Sequence, residues 1–515
     1  MTATVAGIFR GDLVSSSMNH HRPLVIKGNR GRAATLRWQR RVSFMGAASA
    51  VIVWMFWLLQ NKYPLHPLML LQHEIHLLQE EPVDDGEGLD PHRNYYYHHH
   101  HRPETRHSHG MFRDKPQRFR EHNTERGDGT HRVLDESDPT TDPAWQDILN
   151  ARTHLIELRF IPAEHEIAQQ MSGNSAEVNY AGVYGIFCKL DWNLHKQDPS
   201  TYPMFRDLIS NSPQCEETRV QVPFRLLMDR VRSYDATAPT HVLSLGGVVF
   251  HESRCGSTLV ANLLASMSET HRVYSESGPP ITAMTLGCGG HDDCKENKLA
   301  VPLLRDTIYL MQRTDNAQET HVFFKIQSAG TLHLDVFLEA FPDTPWFFVY
   351  RSPVEVMVSH LQGSLGKAGI KNANCVRRQR MNPPSQVVDI LERDLNTRDA
   401  MQVDPIDYCA AHLASITESA LKGLHSHPHT GRAVNYQRLP DALWDDLLPN
   451  HWHLPVSAPA LQRMQITSGQ YSKGRQEKKG DFQGDSEHKE AIASPSLKRA
   501  AHEILESSFQ ELERL

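Results

Sequence analysis

Organised cysteine is what this 515-residue sequence most plainly lacks. Its seven Cys include no Cys-x-x-Cys pair and no zinc-finger spacing, so a zinc module is not indicated. Charge of one sign is lacking too: a formal net charge of −7 gives no global field for nucleic acid, and none is expected as a partner. There is no Asn-x-Ser/Thr sequon, hence no N-glycosylation acceptor. A Gly-x-x-x-x-Gly-Lys-Ser/Thr loop is also missing. That absence argues against metal-dependent nucleoside-triphosphate chemistry, which needs the Lys on the phosphates and the hydroxyl on Mg²⁺. The length leaves room for two or three domains and a substantial core.

What is present begins with an uncharged run over residues 42–61, about the length that spans a bilayer core. Before it, in residues 1–41, stand Arg10, Arg22, Lys27, Arg30, Arg32, Arg37, Arg40 and Arg41 against the single acid Asp12. The positive-inside rule then puts the N-terminus in the cytosol and the rest of the chain in a lumen, as a type II signal anchor. An organelle transit peptide is the competing reading, since it too is Arg-rich and poor in acids. Residues 62–143 read as a low-complexity stem that buries little, with a His run at 98–101 taken as spacer rather than metal site. Residues 144–240 regain hydrophobic pattern, with a helix expected over 144–159, a strand over 180–188 and a helix over 222–231. No chemical motif occurs in this accessory α/β region, which reads as packing for its neighbour or as a wall of an acceptor cleft.

The organising stretch is residues 242–264. An apolar, β-branched run over 242–250 reads as a buried parallel strand. The turn Ser253-Arg254-Cys255-Gly256 follows, and Ser257 or Thr258 is expected to cap an apolar-periodic helix carrying Leu259, Val260, Leu263 and Leu264. Strand, Gly-containing turn and helix N-terminus together favour an anion. Gly256 stands where a P-loop would have its Lys, and the cation of the turn is Arg254.

Further strands are expected at 271–274, 321–327 and 345–350, with helices at 332–340 and 354–361. Strands alternating with helices predict an α/β fold, a P-loop-type parallel sheet flanked by helices with ligands at the strand carboxyl ends. Arg351-Ser352-Pro353 ends the last of these strands, and Ser359 lies eight positions after the Arg. An Arg at a strand end can grip a phosphate in bidentate fashion, and a hydroxyl two turns into the helix can join it. Pro353 suits the first turn of that helix, where its missing N–H costs nothing.

The pattern Ser253-Arg-Cys-Gly-Ser-Thr-Leu259 and the Arg351-x-Pro353…Ser359 spacing resemble the 5′-phosphosulfate loop and the 3′-phosphate motif of the sulfotransferase superfamily. The resemblance covers roughly residues 241–490 and lies nearest the tyrosylprotein and carbohydrate branches. It implies 3′-phosphoadenosine 5′-phosphosulfate (PAPS) as donor, no metal, and a Golgi membrane protein with a lumenal catalytic domain. It puts Ser253, Arg254, Cys255, Gly256, Ser257 and Thr258 on the 5′ end of the donor, and Arg351 and Ser359 on the 3′-phosphate. Residues 431–440 look like the family's late strand, which brings in Tyr436, although Gln437 stands where the family has Glu. Tyr471-Ser-Lys473-Gly-Arg475 and Asp485-Ser-Glu-His-Lys489 are similar to the basic loop that closes over the donor, with Lys473 its candidate.

For the chemistry, Arg254 is expected on the sulfuryl oxygens and the leaving phosphate, with Lys325 assisting. The acceptor's proton needs a carboxylate or His near the sulfur. Glu276 holds the place of the tyrosylprotein branch's base, although its surroundings, Ser-Glu-Ser-Gly-Pro-Pro, differ; His251 and Glu252 on the loop are the other candidates. Cys255 is expected as a free thiol, leaving six Cys to pair, and the loop from Cys288 to Cys294 reads as a disulfide rather than a metal site. Lys367, Lys371, Arg377, Arg378 and Arg380 form a basic loop, read either as solvated surface or as a rim that attracts an acidic acceptor. A P-loop kinase and a non-catalytic lumenal binder remain as alternatives. Residues 491–515 are expected as a C-terminal helix.

Overall fold

The central strands are apolar at nearly every position, which suits a sheet covered on both faces. In the computed structural model the described residues are 132–161, 180–238, 240–286, 299–361, 370, 373–470, 472–473 and 484–515. The leader, the expected span at 42–61, residues 62–131, Cys288, Cys294, Lys367, Lys371, Tyr471 and Arg475 lie outside them. Among the described residues no helix is long and apolar enough to cross a membrane.

The first strands are β1 (Arg132–Val133), β2 (His154–Phe160), β3 (Val183–Cys188) and β4 (Val220–Pro223), a small sheet ordered β1-β4-β3-β2. Regular structure thus begins inside the 62–143 stretch. The helix expected over 144–159 is corrected: Pro143–Leu149 is helical, Ala151 takes a left-handed φ of 55°, and His154–Phe160 is strand. The apolar residues of 154–160 serve β2, which is buried against β3. The helix expected over 222–231 runs Phe224–Thr237. Disulfides join Cys188 to Cys215 and Cys375 to Cys409, while Cys255 is free and buried.

β5 (His241–Val242), β6 (Ser244–His251), β7 (His271–Ser275), β8 (Arg313–Thr314), β9 (His321–Lys325), β10 (Trp346–Tyr350) and β11 (Gly431–Asn435) follow. β5 and β8 pair with each other, and the other five form a wholly parallel sheet ordered β11-β10-β6-β9-β7. Alternation splits the side chains of this sheet. Val248, Phe250, Phe324, Trp346 and Phe348 face one core, and Val249, Phe323, Phe347 and Val349 the other. On the second face Trp452 stacks on Phe347 and Phe323, with centroids 4.8 and 5.5 Å away. A Cβ at Gly247 would stand 2.4 Å from that indole, so only glycine leaves it room.

Two features of this sheet place the site. β9 and β10 flank β6, so the chain leaves β6 toward one side and later returns to pair on the other, a switch point whose carboxyl end opens a crevice. The register also aligns the strand ends: Lys325 lies opposite both Ser275 and Val249, His251 opposite Val349, and Asn435 opposite Tyr350. The residues that follow these strands therefore share one edge.

Candidate active site

β6 ends in a tight loop into α1 (Ser257–Met267); the cap expected at Ser257 or Thr258 is corrected to Gly256, which bonds α1 through its carbonyl and no side chain. Ser253, Arg254 and Gly256 take left-handed φ values of 77°, 54° and 85°, and such turns aim successive N–H groups into a concavity that favours anions. The first N–H groups of α1 have no acceptor within the helix, adding to the same field. Gly256 is required twice over: its φ is left-handed, and a Cβ there would meet the Tyr436 ring at 2.4 Å. The same ring lies under the Arg351 guanidinium at 4.3 Å. Tyr436 thus touches both of the motifs singled out in the sequence.

Cys255 contributes backbone only. Its side chain is fully buried, and burial, reinforced by the nearby Glu252, pushes the thiol up to about 12. It is not a nucleophile.

α2 (Gly278–Leu286) and α3 (Pro353–Leu361) follow β7 and β10. Arg351 and Ser359, expected on one phosphate, have different partners. Arg254 Nε donates to Ser359 Oγ at 3.2 Å and its Nη2 to the Ser359 carbonyl at 3.4 Å. Arg351 donates to Glu355, to Asp485 Oδ1 at 2.7 Å and to Ser486 Oγ at 3.1 Å. Its main-chain N–H donates to Glu252 Oε1 at 2.7 Å. Burial pushes the Glu252 carboxyl up to about 8 against the pull of that N–H, of Thr417 and of the Arg351 charge.

Glu276 and Lys325 meet as a buried ion pair through Glu276 Oε1, with side chains 7% and 1% exposed. Glu276 has a left-handed φ of 55°, the kind of backbone strain that persists only where neighbours fix it. Here its N–H donates to the Lys325 carbonyl at 2.7 Å, and Gln327 donates to its own carbonyl at 3.2 Å. Burial opposes ionisation of Glu276, but Lys325, with Lys473, outweighs it and holds the carboxyl down at about 2. Glu276 Oε2 is buried and has no partner among the described residues. His251 is kept neutral by burial first and then by the fields of Lys325 and Lys473.

Lys473 therefore reaches the site through its field, from a segment held where Asn262 of α1 donates to the Ser472 carbonyl at 2.9 Å. The accessory region touches the same place. Ser200 donates to Gln470 at 2.7 Å, and Met204 Sδ lies 3.6 Å from the hydroxyl of Ser275, the neighbour of Glu276. Asp485 and Ser486, read in the sequence as part of the closing loop, meet Arg351, and two participants had no sign in that reading: Glu355 and His360. The first is visible afterwards as the i,i+4 partner of Arg351. His360, beside Ser359, is buried with Nε2 unpartnered among the described residues, and burial, then Arg254, holds it neutral.

No family model matches this chain, and no curated protein sequence matches it. Solved structures do, at low likeness. A sulfotransferase domain from the curacin biosynthetic pathway matches with a TM-score of 0.30 and 14% identity, over 53% of this chain and 98% of its own. Sulfotransferase STF9 from Mycobacterium avium matches at 0.29 and 12%, over 65% and 88%, and STF1 from Mycobacterium tuberculosis H37Rv at 0.28 and 14%, over 59% and 92%. At this degree of likeness no chemistry is carried over from them.

Proposed function

We propose that the chain is a PAPS-dependent sulfotransferase acting on a hydroxyl of a glycan, peptide or small molecule. One observation carries the reading: a lysine-free anion loop bearing Arg254 shares a sheet edge with Glu276, a buried carboxylate whose Oε2 has no partner among the described residues. Bound PAPS would supply an activated sulfuryl group. Glu276 Oε2 takes the acceptor's hydroxyl proton as that oxygen bonds to sulfur and the bond from sulfur to the 5′-phosphate breaks. Arg254 and the loop N–H groups offset the charge that develops on the departing phosphate. Lys325 stays on Oε1 and keeps the carboxylate ionised until the proton arrives. Incubation with radiolabelled PAPS and a panel of glycans, peptides and small alcohols, with chelator present, should label one class. PAP (3′-phosphoadenosine 5′-phosphate) binding without any transfer would make the chain a non-catalytic binder. Label taken from γ-phosphate-labelled ATP instead would make it a kinase.

Arg351 is assigned to the 3′-phosphate, and Asp485 and Ser486 are the partners that a phosphate would replace. Arg351→Ala removes a charged hydrogen-bonding partner worth roughly 1.5–3 kcal/mol and should weaken PAP binding by calorimetry. Asp485→Asn removes the competing carboxylate and should tighten it. Unchanged affinity in Arg351→Ala would discard this donor pose.

Arg377, Arg378 and Arg380 are exposed and are proposed as a rim for an acidic acceptor, an attraction that fades as salt screens it. Equal acceptor KM at low salt in wild type and the triple Ser variant would remove that role. The chain is proposed to sit in the Golgi membrane as a single-pass type II protein. The two disulfides among the described residues support this, since such bonds persist in oxidising compartments. Protease added to intact microsomes should clip only the leader; import with cleavage near Val42 would favour the organelle reading.

A further inference from the structure

Three groups near the loop are candidates for handling a proton: Glu276, Glu252 and His251. Glu252 is committed elsewhere, accepting the Arg351 N–H at 2.7 Å and bonded to Thr417. His251 is excluded as a base by its own hydrogen bond. Its Nδ1 accepts the Ser253 N–H at 3.0 Å, so in the neutral ring the proton sits on Nε2 and no basic lone pair remains. That Nε2–H is buried and has no hydrogen-bond partner among the described residues, and it lies 3.8 Å from Glu276 Oε1, with side chains 2% and 7% exposed.

We propose that His251 is the positioning residue for Glu276: its Nε2–H, together with Lys325, fixes the carboxylate through Oε1 so that Oε2 alone faces the acceptor's hydroxyl. This rests on the sulfotransferase reading of the same site. A Lys ammonium is a point charge on a flexible stem and cannot by itself set the rotation of a carboxylate. A second donor on a ring pinned at its other nitrogen can. The present 3.8 Å separation is longer than a hydrogen bond, and contacts of this kind tighten when the reacting complex forms. Other groups act on the pair as well. Glu276 faces Lys325, His251 and Lys473, and His251 faces Lys325, Glu276, Lys473 and the main chain of Ile326. The two lysines favour the carboxylate and disfavour an imidazolium, which keeps His251 a neutral donor while Glu276 is ionised. Loss of the donor removes part of what stabilises the ionised carboxylate, so its pKa rises.

The test uses the full chain, radiolabelled PAPS and the panel acceptor that the wild type labels fastest. His251→Phe should lower kcat by about tenfold to a hundredfold, the scale of a misplaced catalytic group, with a smaller change in the KM for PAPS. The acid limb of its kcat–pH profile should move to higher pH. His251→Gln, which keeps a side-chain N–H, should recover part of kcat and return the limb toward wild type. Equal losses in both variants with an unmoved limb would reduce His251 to loop packing and overturn the inference. If neither variant folds, imidazole nitrogen NMR of the wild type decides. Protonated Nε2 and bare Nδ1 from pH 5 to 8 support the inference, and the opposite tautomer or an imidazolium overturns it. A wild type that labels nothing sinks the sulfotransferase reading and this inference with it. An active wild type with an unmoved limb in His251→Phe sinks the inference alone.

Discussion

Glu276→Gln is expected to lower kcat by about 10²–10⁴-fold, the usual contribution of a positioned general base. The amide is nearly isosteric and can still accept from Lys325, so the strand end should keep its shape. It cannot take a proton at neutral pH. In the proposed pose donor binding rests on Arg254, the loop and Arg351, none of which bonds to the Glu276 side chain. PAP affinity by calorimetry should therefore hold while turnover falls. A variant with wild-type kcat would move the base to another residue, and one that lost both binding and turnover would show that Glu276 shapes the loop instead.

The second large effect is on stability. Lys325→Ala leaves the Glu276 carboxylate buried without its counter-charge, a change that costs about 3–5 kcal/mol when one partner of a buried pair is removed. The sign with pH follows from the depressed Glu276 pKa, held at about 2 by Lys325 and its neighbours against burial. In the wild type the stability from this pair is present above the unfolded carboxyl pKa and is lost as pH falls toward about 2. Without Lys325 the buried carboxyl should sit above its unfolded value, so the variant should be closest to wild type in mild acid and fall behind as pH rises. The double variant Glu276→Gln with Lys325→Met removes both charges and should regain most of the loss in urea unfolding. A double variant no more stable than Lys325→Ala would mean that the ammonium acts through something other than this carboxylate.

The central sheet was legible because parallel strands buried on both faces announce themselves as apolar runs, and Gly256 and Pro353 punctuate them. The loop was legible because Arg254, Gly256 and the helix start are neighbours in the chain. The helix expected over 144–159 failed because the apolar residues of 154–160 suit strand alternation as well as a helical period, and pairing with β3 decides between them. The partners of Arg351 and Ser359 were legible only in part, as an i,i+4 carboxylate and a stretch at 485–489 resembling a closing loop. Spacing puts both side chains near one strand end, but which carboxylate reaches a guanidinium depends on Asp485, 134 residues away. Likewise the tautomer of His251 depends on one N–H two residues on, visible only once Ser253 is known to be left-handed.

Tyr436 carries a consequence for selectivity by size. Its ring is wedged between Gly256 and the Arg351 guanidinium, in contact with both, the two ends of the proposed donor site. An aromatic plate is incompressible on this scale, so the loop and the strand end cannot approach each other past it. In the proposed site the ring acts as a spacer that sets a minimum span: a ligand whose two anionic groups lie closer together than that would engage one end and miss the other.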